Sequence, residues 1–163
     1  MRGWLVALSF AAFGAGAAER PLVLIFTRTD CPIANRYAPE LRRLFSVYSA
    51  KADFRLIYVE PEITDQQMER HRSEYSLTIP AINDRDRKYV HVAAATVTPE
   101  AAVFVGGRLV YRGRIDDQFA GFGVARREPY RHDLDEVLAA IAAGKTPPLR
   151  ETKAVGCAIE EAP

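Results

Sequence analysis

Two cysteines, Cys31 and Cys157, are the side chains best suited to covalent chemistry near neutral pH. Cys31 lies in T-R-T-D-C-P-I-A-N-R-Y-A-P-E-L, which begins at Thr27, and Pro32 follows it directly. An apolar run ends just before this stretch and a helical pattern begins just after it, so Cys31 is expected at a strand–helix join. There a thiol faces the unpaired N–H groups of a helix start. Such a setting lowers a thiol pKa from about 8.5 to about 3.5–7.5 and makes the thiolate available. The plainer alternative is a small buried cysteine. Arg28 and Arg36 are candidates to stabilise a thiolate or orient a substrate, against a role as solvent-facing charge. Asn35 either supports the turn or touches substrate. Asp30 acts in the opposite sense, because a neighbouring carboxylate disfavours a thiolate.

Cys157 sits on a tail after Pro147-Pro148. An extended chain advances about 3.3 Å per residue, so the tail can reach across a domain. Cys157 is then a resolving cysteine for Cys31, one half of a permanent disulfide, or a free thiol. Of the three histidines, His71 is expected to be exposed on a polar helix. His132 precedes the last helix. Cys31, Cys157 and His132 would make a soft Cu(I) site if the fold gathered them.

The elements that must position these residues form one domain. The 163 residues are 48% hydrophobic and 26% charged, which suits a globular core and argues against disorder. A formal net charge of +1, with no nucleic-acid motif, excludes broad attraction to nucleic acid. Two cysteines are too few for a disulfide scaffold or an all-cysteine zinc site. No cofactor is expected.

Residues 1–18 read as a signal peptide, with Arg2, an apolar segment over 4–13 and small residues up to Ala18. The segment is short for a membrane span, so no stable span is expected after cleavage. The mature chain is expected to be periplasmic or secreted, as a domain over 19–146 and a tail over 147–163 carrying Cys157. Two cysteines in an oxidising compartment either pair or are kept reduced for a purpose.

Residues 21–27 are nearly all apolar, as in a strand covered on both faces. A helix is expected over 33–49, kinked at Pro39, with its apolar positions spaced by three and four. A second strand covers 54–59. Thr64 caps the next helix, with Gln67 in the capping-box position, and the helix ends near Tyr75. Residues 83–87 read as a loop. Thr98-Pro99 precede a hairpin turning at Gly106-Gly107. Asp133 caps a last helix that stops at Gly144. This order predicts an α/β fold with a mixed central sheet of about four strands flanked by helices.

That order, with Cys31 at the first strand–helix join, Pro39 in the following helix and Thr98-Pro99 before the hairpin, resembles the thioredoxin fold. The resemblance implies that Cys31 is the nucleophile. It also implies that Thr98-Pro99 is a cis-proline turn facing it, with a backbone edge where a substrate strand pairs. Within that superfamily, C-P-I-A-N-R-Y-A-P-E-L and the tail E-T-K-A-V-G-C-A-I resemble secreted bacterial redoxins of the peroxiredoxin-like (alkyl hydroperoxide reductase/thiol-specific antioxidant) branch. Departures are clear. Ala34 stands where a thioredoxin has its second cysteine, and Asn35 where a copper-delivery relative has one. Arg28 replaces the threonine of peroxiredoxins, and Leu24 their upstream proline. The chemistry of Cys31 must therefore be completed from elsewhere in the chain.

The expected function is an exported thiol-disulfide oxidoreductase or antioxidant redoxin. Its partners would be a protein thiol or disulfide, or a peroxide, together with an external thiol reductant. Two alternatives stand beside it: a copper-binding accessory module using Cys31 with Cys157 or His132, and a non-catalytic domain with a structural Cys31–Cys157 disulfide.

Overall fold

The computed structural model describes residues 20–160. The expected signal segment, 1–18, lies outside them. The chain order is β1 (Leu22–Thr27), α1 (Pro32–Arg36), α2 (Ala38–Tyr48), β2 (Asp53–Tyr58), α3 (Asp65–Glu74), β3 (Ala81–Asn83) and α4 (Lys88–Ala93). It continues through β4 (Val97–Thr98), β5 (Glu100–Val105), β6 (Arg108–Gly113), β7 (Phe119–Gly121), β8 (Val124–Ala125), α5 (Asp133–Ala142) and β9 (Cys157–Ala158). Among the described residues no helix is long and apolar enough to cross a membrane.

The central sheet is mixed, with strand order β3-β2-β1-β5-β6. β1 runs parallel to β2 and antiparallel to β5. The expected architecture holds, with five strands rather than about four, because residues 81–83 add a short parallel edge. β1 explains the layering. Val23 and Ile25 face the larger core with α1, α2 and α5, while Leu24 and Phe26 face a smaller one with Val90 and Ala93 of α4. Alternate residues of an apolar strand serve opposite faces, so both must be covered.

Three local expectations change. The helix expected over 33–49 is two helices that break at Tyr37 rather than one helix kinked at Pro39. Pro39 falls in the first turn of α2, where its missing N–H removes no intrahelical bond. Tyr37 is buried at the break. Its hydroxyl donates to Asp116 Oδ1 at 2.6 Å, and its ring lies 5.6 Å from that of Phe119. Asp133 does not cap α5. His132 holds that position without a side-chain bond, and Asp133 is instead buried against Arg114 at 2.7 Å. The capping box of α3 forms as expected, with Gln67 N–H donating to Thr64 Oγ1 at 3.2 Å and Thr64 N–H to Gln67 Oε1 at 2.9 Å.

The loop expected over 83–87 is tightly organised and leads into α4. Asp84 is buried, and its carboxylate accepts from Tyr89 N–H at 3.1 Å and Val90 N–H at 2.9 Å. It thereby satisfies first-turn donors of a helix whose flanking residue, Arg87, is left-handed with φ 57°.

Candidate active site

β1 ends at Thr27, and the loop 28–30 delivers Cys31 to the N-cap of α1 with φ −88° and ψ 106°. The cap is the sulfur itself: Sγ accepts from Ala34 N–H at 3.5 Å. α1 is only five residues long. A helix this short has little macrodipole, so the individual donors around the sulfur decide its chemistry.

Cys31 is fully buried, with 0% of its surface exposed. Its Sγ lies 3.0 Å from the Thr98 carbonyl oxygen, to which the thiol donates. The Thr98-Pro99 bond is cis. Glu100 is buried behind this turn and accepts from Thr96 N–H at 2.7 Å, which holds the approach to β4.

The tail supplies the rest of the site. Arg112 N–H donates to Arg150 O at 3.0 Å, and Thr152 N–H donates to Arg112 O at 3.1 Å, so the tail is fastened along the outer edge of β6. It then crosses to β4, where β9 pairs antiparallel with Thr98 opposite Cys157 and Val97 opposite Ala158. Ile159 N–H extends the pairing to Thr96 O at 2.9 Å. Gly156 lies so close that a Cβ there would stand 2.0 Å from the Thr98 carbonyl oxygen.

This crossing brings Cys157 onto Cys31. Both are free thiols, so the permanent disulfide considered from the sequence is not what the structure contains. Burial pushes the Cys31 pKa up, but the polar groups around the sulfur, the Cys157 thiol foremost and then the Ala34 N–H, Thr98 and the Cys157 N–H, outweigh it, and the value is lowered. The Thr98 hydroxyl is buried and has no hydrogen-bond partner. Cys157 shifts the other way, to about 11, through burial, its hydrogen bond to Cys31 and the neighbouring sulfur's charge. The two shifts run in opposite directions, so of the pair Cys31 is the one that gives up its proton more readily.

The other expected site residues divide. Thr98 and Pro99 are at the site, both buried. Arg28 forms a two-point ion pair with Asp30, at 2.7 and 3.2 Å, and its charge bears on Cys157 rather than on Cys31. Asp30 still acts in the expected sense, against a thiolate, but on Cys157, whose pKa it raises. Arg36 is exposed, with its guanidinium 5.8 Å from the Phe119 ring centroid. Asn35 supports the loop: its Nδ2 donates to Thr29 O at 3.0 Å.

His71, expected to be exposed, is 6% exposed. Its Nε2 lies 2.9 Å from Asn35 Oδ1 and its Nδ1 2.7 Å from the Tyr58 hydroxyl. Oδ1 only accepts, so Nε2 carries the proton and Nδ1 accepts from Tyr58. Thr29 continues the chain, donating through N–H and Oγ1 to Glu60 Oε1 at 2.5 and 2.7 Å. Tyr58, His71, Asn35, Thr29 and Glu60 thus brace the loop that presents Cys31. The spacing of Met68, His71 and Tyr75, three then four residues, was the signal for this buried face.

Among the described residues no three His, Cys, Asp or Glu side chains gather as a metal site, so His132 does not join the cysteines.

No family model matches the chain, and no curated protein does. Solved structures do match. An uncharacterized conserved protein from Geobacillus kaustophilus superposes with a TM-score of 0.77 at 23% identity, covering 90% of this chain and 79% of that one. A hypothetical protein from Sinorhizobium meliloti gives 0.76 at 22% identity, covering 89% and 81%. A secreted Mycobacterium tuberculosis disulfide oxidoreductase, homologous to E. coli DsbE, gives 0.51 at 21% identity, covering 76% and 81%. At these identities the likeness speaks for architecture, and the chain has a thioredoxin-like fold.

Proposed function

We propose that the protein is an exported thiol-disulfide oxidoreductase in which Cys31 is the nucleophile and Cys157 the resolving thiol. The observation that carries this reading is the placing of Cys157 opposite Thr98, whose carbonyl oxygen lies 3.0 Å from the buried Cys31 sulfur; the opposite pKa shifts of the two thiols agree with it. Their sulfurs are brought together by strand register rather than by a local two-cysteine motif. The Cys31 thiolate attacks one sulfur of a protein disulfide. That S–S bond breaks, and the departing substrate thiolate takes up a proton. Cys157 loses its proton and attacks Cys31 Sγ, expelling the second substrate sulfur and leaving a Cys31–Cys157 disulfide. Two electrons have passed to the substrate, and an external thiol reductant returns them. Thr98 and Pro99 line the approach, and Asn35 positions the loop.

Export to the periplasm or beyond is supported by the apolar stretch over residues 4–13 and by the secreted nature of the Mycobacterium tuberculosis relative in fold. The peroxiredoxin-like variant of the reading uses the same two residues. A peroxide oxidises Cys31 to a sulfenic acid, which condenses with Cys157 and releases water.

A thiol-trapping redox titration of the mature protein tests the reading. The expected result is one Cys31–Cys157 couple of intermediate potential, with Cys157→Ser accumulating mixed disulfides and Cys31→Ser forming none. Absence of a bridge at every potential overturns resolution by Cys157.

A further inference from the structure

We propose that the chain's own tail over 155–159 occupies the β4 edge as a displaceable cover, so that a protein disulfide reaches Cys31 only by displacing it and must present glycine before its cysteine. The inference rests on Cys31 being the nucleophile.

Cys31 has no exposed surface, so a protein-sized substrate needs a cover to move. β1 and the helices cannot move without breaking the core. The tail can: β9 holds β4 through two register pairs and the Ile159 N–H bond to Thr96 O. Its side chains Val155, Cys157 and Ile159 are only partly buried against the rest of the molecule. Lifting it uncovers the Cys31 sulfur and, in the same motion, leaves the polar backbone edge of Val97–Thr98 unpaired. Such an edge is a template for another strand.

The tail also reports what fits. In its register a cysteine stands opposite Thr98 and the preceding residue is pressed against the Thr98 carbonyl oxygen, where a Cβ would stand at 2.0 Å. An incoming strand that presents its sulfur to Cys31 in this register therefore needs glycine before its cysteine. Bulkier residues meet backbone, which cannot step aside as a flexible side chain would.

Substrate and tail then occupy one edge in turn. With the substrate strand docked, the Cys31–substrate bond forms as the substrate S–S bond breaks, and the departing thiolate is protonated by solvent. When the tail returns, the Cys31–Cys157 bond forms, the Cys31–substrate bond breaks, and the tail displaces the reduced strand. Resolution and product release are a single event.

The test uses the full chain carrying Cys157→Ser, which keeps the tail backbone and leaves Cys31 as the sole thiol. Iodoacetamide alkylation of Cys31 is compared with that in the double variant Gly156→Val/Cys157→Ser. The expected result is an increase in rate of about tenfold or more when the tail is undocked. An unchanged rate, in a protein that melts at the same temperature, overturns the proposal. If the double variant does not fold, peptides decide. Ala-Val-Gly-Cys-Ala-Ile and Ala-Val-Val-Cys-Ala-Ile, each activated as a thionitrobenzoate disulfide, are reacted with the Cys157→Ser protein. Release of thionitrobenzoate about tenfold faster from the glycine peptide supports the docking edge, and equal rates refute it. Failure of both peptides and of free dithiobis-nitrobenzoate to react counts against Cys31 as a nucleophile, whereas the alkylation comparison reads the tail alone.

Discussion

The carbonyl oxygen of Thr98 lies 3.0 Å from the sulfur of Cys31, across 67 positions of sequence. The same residue also carries a buried hydroxyl with no hydrogen-bond partner. The carbonyl, which accepts from Cys31, favours the protonated thiol, whereas the hydroxyl, if it turns to the sulfur, favours the thiolate. Replacing Thr98 by Val removes only the second effect. The pH profile of Cys31 alkylation should then move its inflection to higher pH. Stability should change by no more than about 1 kcal/mol, since the lost hydroxyl had no competing partner. An unmoved inflection would show that the hydroxyl does not reach the sulfur.

His71 gives the site loop a dependence on pH. Burial lowers its pKa, against the raising influence of Glu60 and Glu74. In the unfolded chain the imidazole takes up a proton below about pH 6.5, while the folded one resists it. The unfolded state then binds more protons, so stability should fall as pH drops from about 6.5 toward the lowered folded value. In His71→Gln this component should vanish. At pH 8 the variant should lose about 1–3 kcal/mol, because Asn35 Oδ1 and the Tyr58 hydroxyl lose their partner. Urea titrations of both proteins across that range measure the difference, and parallel curves would contradict the assignment.

Gly113 is a second close approach of the tail. Its φ is +147°, and a Cβ there would stand 2.3 Å from Thr152 O and Oγ1. Gly113→Ala should cost about 2 kcal/mol and loosen the tail at its first anchor. Hydrogen exchange should show the Thr152 amide, which donates to Arg112 O, losing protection while the amides of β1 keep theirs.

Arg114 pairs at 2.7 Å with Asp133, whose side chain is 2% exposed while that of Arg114 is 31% exposed. Arg114→Leu leaves a buried carboxylate without its cation and should cost about 2 kcal/mol, discounted because the arginine end is partly wet. The double variant Arg114→Leu/Asp133→Asn should recover part of that loss in thermal melts. No recovery would mean that the arginine stem, rather than the charge pair, carries the effect.

Much of this architecture was legible because it follows from short-range rules. The β1 run, the Thr64/Gln67 box and the glycine pair of the hairpin each signal one local geometry, and each forms as expected. What could not be read depends on partners distant in sequence. α4 is six residues long, contains β-branched Val90 and Val92, and receives its end contacts from Asp84, which looks like any turn aspartate. Asp133 looks like a helix cap until Arg114 arrives from β6's far end. The place of Cys31 at the strand–helix join was clear from the sequence. The roles of Asn35 and His71 were not, because polar residues on a polar helix look solvated until Tyr58 is placed behind them. Arg28 and Arg36 were natural candidates by proximity in sequence, but their guanidinium groups are engaged by Asp30 and Phe119.

The anchor at Thr152, where Tyr111 Oη and Thr152 Oγ1 meet at 2.7 Å, turns the end of the chain into a tether. Cys157 lies five residues beyond that point, so even fully detached it stays within about 17 Å of the anchor. A thiol on so short a leash has an effective concentration in the millimolar range, on the order of that found for short flexible linkers. In the proposed reaction, soluble thiols at micromolar levels would be outcompeted for a mixed disulfide on Cys31. In that scheme access to the sulfur is governed by recognition at the strand edge, and the fate of the trapped partner by the length of five residues.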